Sequence, residues 1–134
     1  MASSALYFTT PGVAQAALAT ANTNIDGTTG TYVSVVAGTA AGRRIAKLRV
    51  INALTGAQVA NKINFFESLD GGTTKRFVCD CLMPAGSAMS ATIRGSYIEV
   101  PELVGKTLFT ANNVLYASTH IAQATNVVVE YNDA

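Results

Sequence analysis

Arg43-Arg44-Ile45-Ala46-Lys47-Leu48-Arg49-Val50-Ile51-Asn52-Ala53-Leu54 decides the fold, because Ala46, Leu48 and Val50 alternate with Lys47 and Arg49. Alternation with a period of two makes a strand with one buried face. On the 3.6-residue period of a helix, Lys47 falls between apolar neighbours and no continuous apolar stripe survives. The stretch therefore predicts a central β-strand. Segments suited to lie beside it, at 31–36, 63–69, 77–82, 115–118 and 126–131, are also short, rich in β-branched or aromatic residues and bounded by turn residues.

Working outward from this strand, residues 1–12 place Leu6, Tyr7 and Phe8 between Ser and Thr residues and stop at Pro11-Gly12. They predict an extended N-terminal arm or edge strand, since Pro11 cannot donate to a ladder inside a sheet. Residues 13–134 form the expected domain. Its alanine-rich opening, 13–21, has helical propensity, yet its Thr and Asn flanks and β surroundings favour a loosely paired strand. Asp26-Gly27 and Asp70-Gly71-Gly72 supply the positive-φ positions that tight turns require. Gly95 predicts a bulge, Pro101 a corner, and Asn112-Asn113 a tight turn between two strands. Eight or nine short strands at intervals of about 10 residues describe an all-β, single-domain β-sandwich of jelly-roll or immunoglobulin-like type.

The 134 residues are only 13% charged, against about 25% in ordinary domains. Nine Lys and Arg offset eight Asp and Glu, leaving a net charge of +1. No long-range field gathers phosphate backbones, so nucleic acid is excluded as a partner. The charge-free run from Met1 to Ile25 is interrupted by Pro11 and by Ser, Thr, Gln and Asn, so it offers no apolar span for a membrane. It also lacks the basic and apolar regions of a signal peptide, which predicts cytoplasmic synthesis with an intact N-terminus. A weakly charged domain near neutrality tends to self-associate, and that suits a protein meant to assemble.

Nothing in the sequence spells a reaction. Ser118 and His120 share a strand face and form no nucleophile elbow. The pairs Glu67 with Asp70 and Glu99 with Glu102 flank turns and have no Trp platform for a sugar. Cys79 and Cys81 point to one face of a strand, as small buried hydrophobes do. With His120 they fall short of a structural zinc set, and Asp70 alone is too little for calcium. Gly38-Thr39-Ala40-Ala41-Gly42 lacks the Lys and the spacing of a phosphate loop. No cofactor, metal or catalytic residue is expected, and the protein reads as a non-enzyme. Arg43 and Arg44, with Arg49 and Arg76, offer a modest basic patch for carboxylates of a neighbouring subunit. Leu6, Tyr7 and Phe8 offer an apolar arm.

Asn24-Ile25-Asp26-Gly27-Thr28-Thr29-Gly30 leading into a strand, Arg44-Ile45 opening the next, and Leu115-Tyr116-Ala117-Ser118-Thr119 before a closing strand resemble small β-sandwich virion proteins of tailed bacteriophages. The likeness runs from Asn24 to Tyr131 and is strongest to capsid decoration, or cement, proteins. It implies a structural protein, often a homotrimer, seated on the major capsid protein outside a phage shell and strengthening it. Leu6, Tyr7, Phe8, Arg43, Arg44 and Arg76 are the residues expected at subunit or capsid contacts. The alternatives are a tail or neck component and a carbohydrate- or receptor-binding sandwich of a tail; aromatic content of 7% without Trp weighs against sugar binding.

Overall fold

The computed structural model of the chain describes residues 7–134; Leu6 and the earlier part of the expected arm lie outside the described residues. Nine strands follow in chain order: β1 (Thr10–Leu18), β2 (Val33–Ala37), β3 (Arg43–Asn52), β4 (Asn61–Ser68), β5 (Arg76–Met83), β6 (Tyr97–Glu99), β7 (Thr107–Leu108), β8 (Val114–Thr119) and β9 (Thr125–Asp133), with a 3-10 turn at Pro101–Leu103. Among the described residues no helix is long and apolar enough to cross a membrane.

The strands form two sheets, one in the order β1-β9-β3-β6 with β7 beside β3, the other β2-β8-β4-β5. All named pairings are antiparallel. The pairing has a simple logic: β1 lies on β9, β2 on β8, β3 on β6 and β7, and β4 on β5. The chain is thus a two-ply ribbon whose closed end is the β4–β5 hairpin, rolled until β3 also meets β9 and β4 also meets β8.

β3 is central, as its alternation predicts, with β9 on one side and β6 and β7 on the other. Its inward face begins differently. The register shifts between Ile45 and Lys47, so Ile45 is buried and Ala46 is exposed. A bulge adds one residue without a partner and reverses the alternation on one side of it. Leu48 and Val50 then point inward as expected, with Lys47 and Arg49 outside.

Leu48, Val50, Val127 and Val129 of one sheet meet Ile63, Phe65 and Leu115 of the other, all fully buried. β4 is buried on both faces. Phe66 points away from this core, yet the rings of Tyr32 and Phe77 pack edge-on against it at 4.8 and 5.8 Å. Alanine-rich 13–18 is strand, and Pro11 sits within β1 where a sheet edge tolerates it, since β1 pairs only with β9. Gly95 lies in a loop before the short β6, and the turn closed by Asn113 N–H on the Thr110 carbonyl, 3.1 Å, carries the chain from one sheet to the other.

Candidate functional site

Most residues of the types that carry chemistry are occupied by structure. Asp26 accepts the Thr29 hydroxyl at 2.6 Å, the amides of Thr29 and Thr28, and the Tyr32 hydroxyl. Led by the Thr29 bonds, these hold its carboxyl well below the usual carboxylate range. Asp70 accepts the Thr74 amide and the Ser68 hydroxyl, each at 2.8 Å, which lower it to about 2. Glu67 pairs with Lys106 at 2.7 Å and Glu99 with Lys47 at 3.3 Å. Cys79 and Cys81 are free thiols pushed up by burial to about 11 and about 12, so neither is a ready nucleophile. Ser118 Oγ and His120 Nε2 are each buried without a hydrogen-bond partner among the described residues. Among those residues no group of three or more His, Cys, Asp or Glu side chains is placed to hold a metal ion.

The two ends of the sandwich differ. At one end the loops are locked by buried amides. Gln123 Nε2 donates to Asn52 Oδ1 at 2.8 Å while its Oε1 accepts the Val59 amide at 3.1 Å, and Asn61 Nδ2 donates to Thr119 Oγ1 at 2.7 Å. These bonds position the loops, while Asn52 Nδ2 and Gln58 Oε1 are buried without a hydrogen-bond partner among the described residues.

The other end gathers the start of β1, the turn before β3, the β4–β5 hairpin, residues 101–113 and the end of β9. Here Phe8 lies under the Arg44 guanidinium, 4.6 Å from ring centre to carbon. Phe8 and Phe109 flank Gly42, whose missing β-carbon would stand 3.5 and 3.4 Å from their rings. Tyr7 is 73% exposed and Phe109 50%. Leu69 and Val104, also exposed, belong to the hairpin and to the turn after Pro101–Leu103.

Arg43 is engaged within the chain. Its Nε and Nη2 donate to the two Asp133 carboxylate oxygens at 2.7 and 3.0 Å, its Nη1 donates to the Ala37 carbonyl at 3.0 Å, and its guanidinium lies 3.8 Å from the Tyr131 ring centre. The Asp133 carboxyl is accordingly held low and the Arg43 guanidinium high. Arg76 stands opposite Glu67 on β5 and borders a depression of about 470 Å³ with Leu69, Phe77 and Val78. It reaches the same end on the other sheet, because Glu67 binds Lys106, whose carbonyl accepts the Ile45 amide at 2.9 Å.

Of the residues singled out in the sequence, Tyr7, Phe8, Arg43, Arg44 and Arg76 therefore share one end, although Phe8 and Arg44 are the pair in direct contact. Arg49 does not join them; it faces outward from mid-strand. Phe109, Leu69 and Val104 were not legible as part of this surface, since only the rolling of the ribbon brings their loops beside the first strand.

Comparison with known protein families returns no match, and no curated protein matches. Among solved structures, the chain is similar to the capsid asymmetric unit of cyanophage Pam1, with a TM-score of 0.47 and 13% identity over 100% of this chain and 93% of that one.

Proposed function

We propose that the chain is a structural virion protein of a tailed bacteriophage, a decoration or cement protein that docks as a homotrimer on the major capsid protein at the shell exterior and stabilises it. The observation that carries the reading is the end bearing Tyr7, Phe8 and Phe109. Exposed aromatic side chains beside an Arg on one loop-built surface match the composition of protein contacts. Of the expected arm at residues 1–12, Thr10–Gly12 are paired with β9 of the same chain, so the part before them clasps a neighbour, Arg44 and Arg76 take its carboxylates, and Arg43 holds β9 in place behind them.

The topology supports a jelly roll over an immunoglobulin-like sandwich. With β7 set aside, eight strands divide four and four, and β1 and β2 fall in different sheets. Immunoglobulin domains instead pair their first two strands in one sheet.

The test is binding of the purified chain to mature phage shells, with the shell's disruption temperature as readout. Deletion of residues 1–10 and the variant Phe109→Ser should weaken both trimerisation and binding while the β signature in circular dichroism persists. Unchanged sedimentation and binding in both variants overturns the assignment of this surface. Binding to tails and not to shells makes the protein a tail or neck component.

A further inference from the structure

The outer face of the β1-β9-β3-β6 sheet carries a second surface unlike the rest of this weakly charged molecule. Lys47, Arg49 and Ile51 of β3, Tyr97 and Glu99 of β6, and Met89, Arg94 and Gly95 of the loop before β6 line an open depression of about 440 Å³. That size lies within the range of about 300–1,000 Å³ usual for small-molecule sites. Three of the five arginine and lysine side chains on this sheet and its loop thus meet a single acid. Glu99 is opposite Arg49 in the sheet register, yet its carboxylate binds Lys47 Nζ at 3.3 Å. Glu130, opposite Lys47 on β9, is the other acid of this face.

Arg49 is left over. Its Nε is sealed from solvent without an acceptor among the described residues, and none of their ion pairs uses its guanidinium. With Nε sealed off, the donors left for a ligand are those of the Nη atoms. The Arg94 guanidinium carbon lies over Tyr97, 4.5 Å from the ring centre, and covers one face of the ring. Tyr97 remains 46% exposed. A β-carbon on Gly95 would lie 2.5 Å from the Met89 sulfur, so the glycine lets the thioether form an apolar wall.

We propose that this depression binds an acidic saccharide, one whose ring bears a carboxylate. Arg49 and Arg94 take the carboxylate through forked, charge-assisted hydrogen bonds, while Met89, Ile51 and the open part of Tyr97 contact the C–H face of the ring. Glu99 decides between sugar and peptide. A sugar hydroxyl donates to its free lone pairs, whereas an acidic peptide brings a second carboxylate against it. With Arg94 over one face of Tyr97, the open remainder of the ring is too small a platform to hold a neutral sugar alone, so the carboxylate is required. This site is independent of the assembly surface, which lies at the end of the sandwich.

The experiment titrates the full chain with a hexuronate trisaccharide, the neutral hexose trisaccharide of the same linkage, a glutamate hexapeptide and inorganic sulfate, followed by amide and methyl NMR. The uronate should shift Ile51, Met89 and Tyr97 in a saturable manner, and the neutral sugar should not. Arg49→Gln and Arg94→Gln, with otherwise unchanged spectra, should each weaken uronate binding roughly 10-fold, the worth of one charge-assisted contact. Gly95→Ala, which displaces Met89, should weaken it without altering charge. Absence of uronate shifts, equal affinity for the peptide, equal affinity for sulfate as an adventitious ion only, or no response to Arg49→Gln each overturns the proposal.

Discussion

Replacing Arg43 by Met keeps the apolar stem and removes the guanidinium, which breaks both bonds to Asp133, the bond to the Ala37 carbonyl and the stacking on Tyr131. A sealed hydrogen bond to an ionised group contributes about 1.5–3 kcal/mol, while an exposed ion pair contributes about 0–1 kcal/mol. The Arg43 and Asp133 side chains are 19% and 26% exposed, so solvent screens the pair in part. About 1–2 kcal/mol for the ion pair and about 0.5–1 kcal/mol for the ring contact give a total of about 1.5–3 kcal/mol. For a domain of this length that lowers Tm by roughly 4–15 °C.

Urea unfolding of Arg43→Met, Asp133→Asn and the double variant isolates the pair, with an expected coupling of about 1–2 kcal/mol. Its pH dependence has a definite sign. The folded Asp133 carboxyl lies below its unfolded value, so its contribution is fully present above an unfolded pKa of about 3.9 and is lost as pH falls through the folded value. The gap between wild type and Arg43→Met should therefore narrow below about pH 4. A coupling under about 0.3 kcal/mol, or a gap that does not change with acidification, refutes the claim that Arg43 ties the last strand to the start of β3.

Other outcomes follow from the same geometry. Phe65→Ala leaves a cavity between the sheets at a fully buried position and should lower unfolding free energy by about 3–5 kcal/mol, measured in urea. Gly27 has φ of +78° and its added β-carbon would stand against the Lys75 carbonyl, so Gly27→Ala should lower Tm. Gly56 has nothing within 4 Å and an ordinary φ, so Gly56→Ala should be neutral or stabilise by up to about 1 kcal/mol. The raised thiols of Cys79 and Cys81 should react with a disulfide reagent at pH 8 far more slowly than in urea, and equal rates contradict their burial.

The sequence spoke most clearly where a residue's partners are near it along the chain. Alternating Leu48, Val50, Lys47 and Arg49 declared β3, and Asp26-Gly27 and Asp70-Gly71-Gly72 declared turns whose glycines have positive φ. The bulge that exchanges Ala46 for Ile45 was hidden, because it arises from the register against β9 rather than from local propensity. Phe66 alternates like a solvent-facing residue, and only the loop carrying Tyr32 and the hairpin strand carrying Phe77 cover it. The same limit applies to function. Tyr7, Phe8, Arg44 and Arg76 stand out by type, but Phe109 and the grouping of Arg49, Arg94 and Tyr97 depend on contacts between loops and strands far apart in sequence.

Docking of the aromatic end of the sandwich on a phage shell, as proposed, is tested by heating mature shells with and without the purified chain: saturable binding and a higher disruption temperature are expected, both reduced by Phe109→Ser. Shells that neither bind the folded chain nor gain heat resistance contradict it.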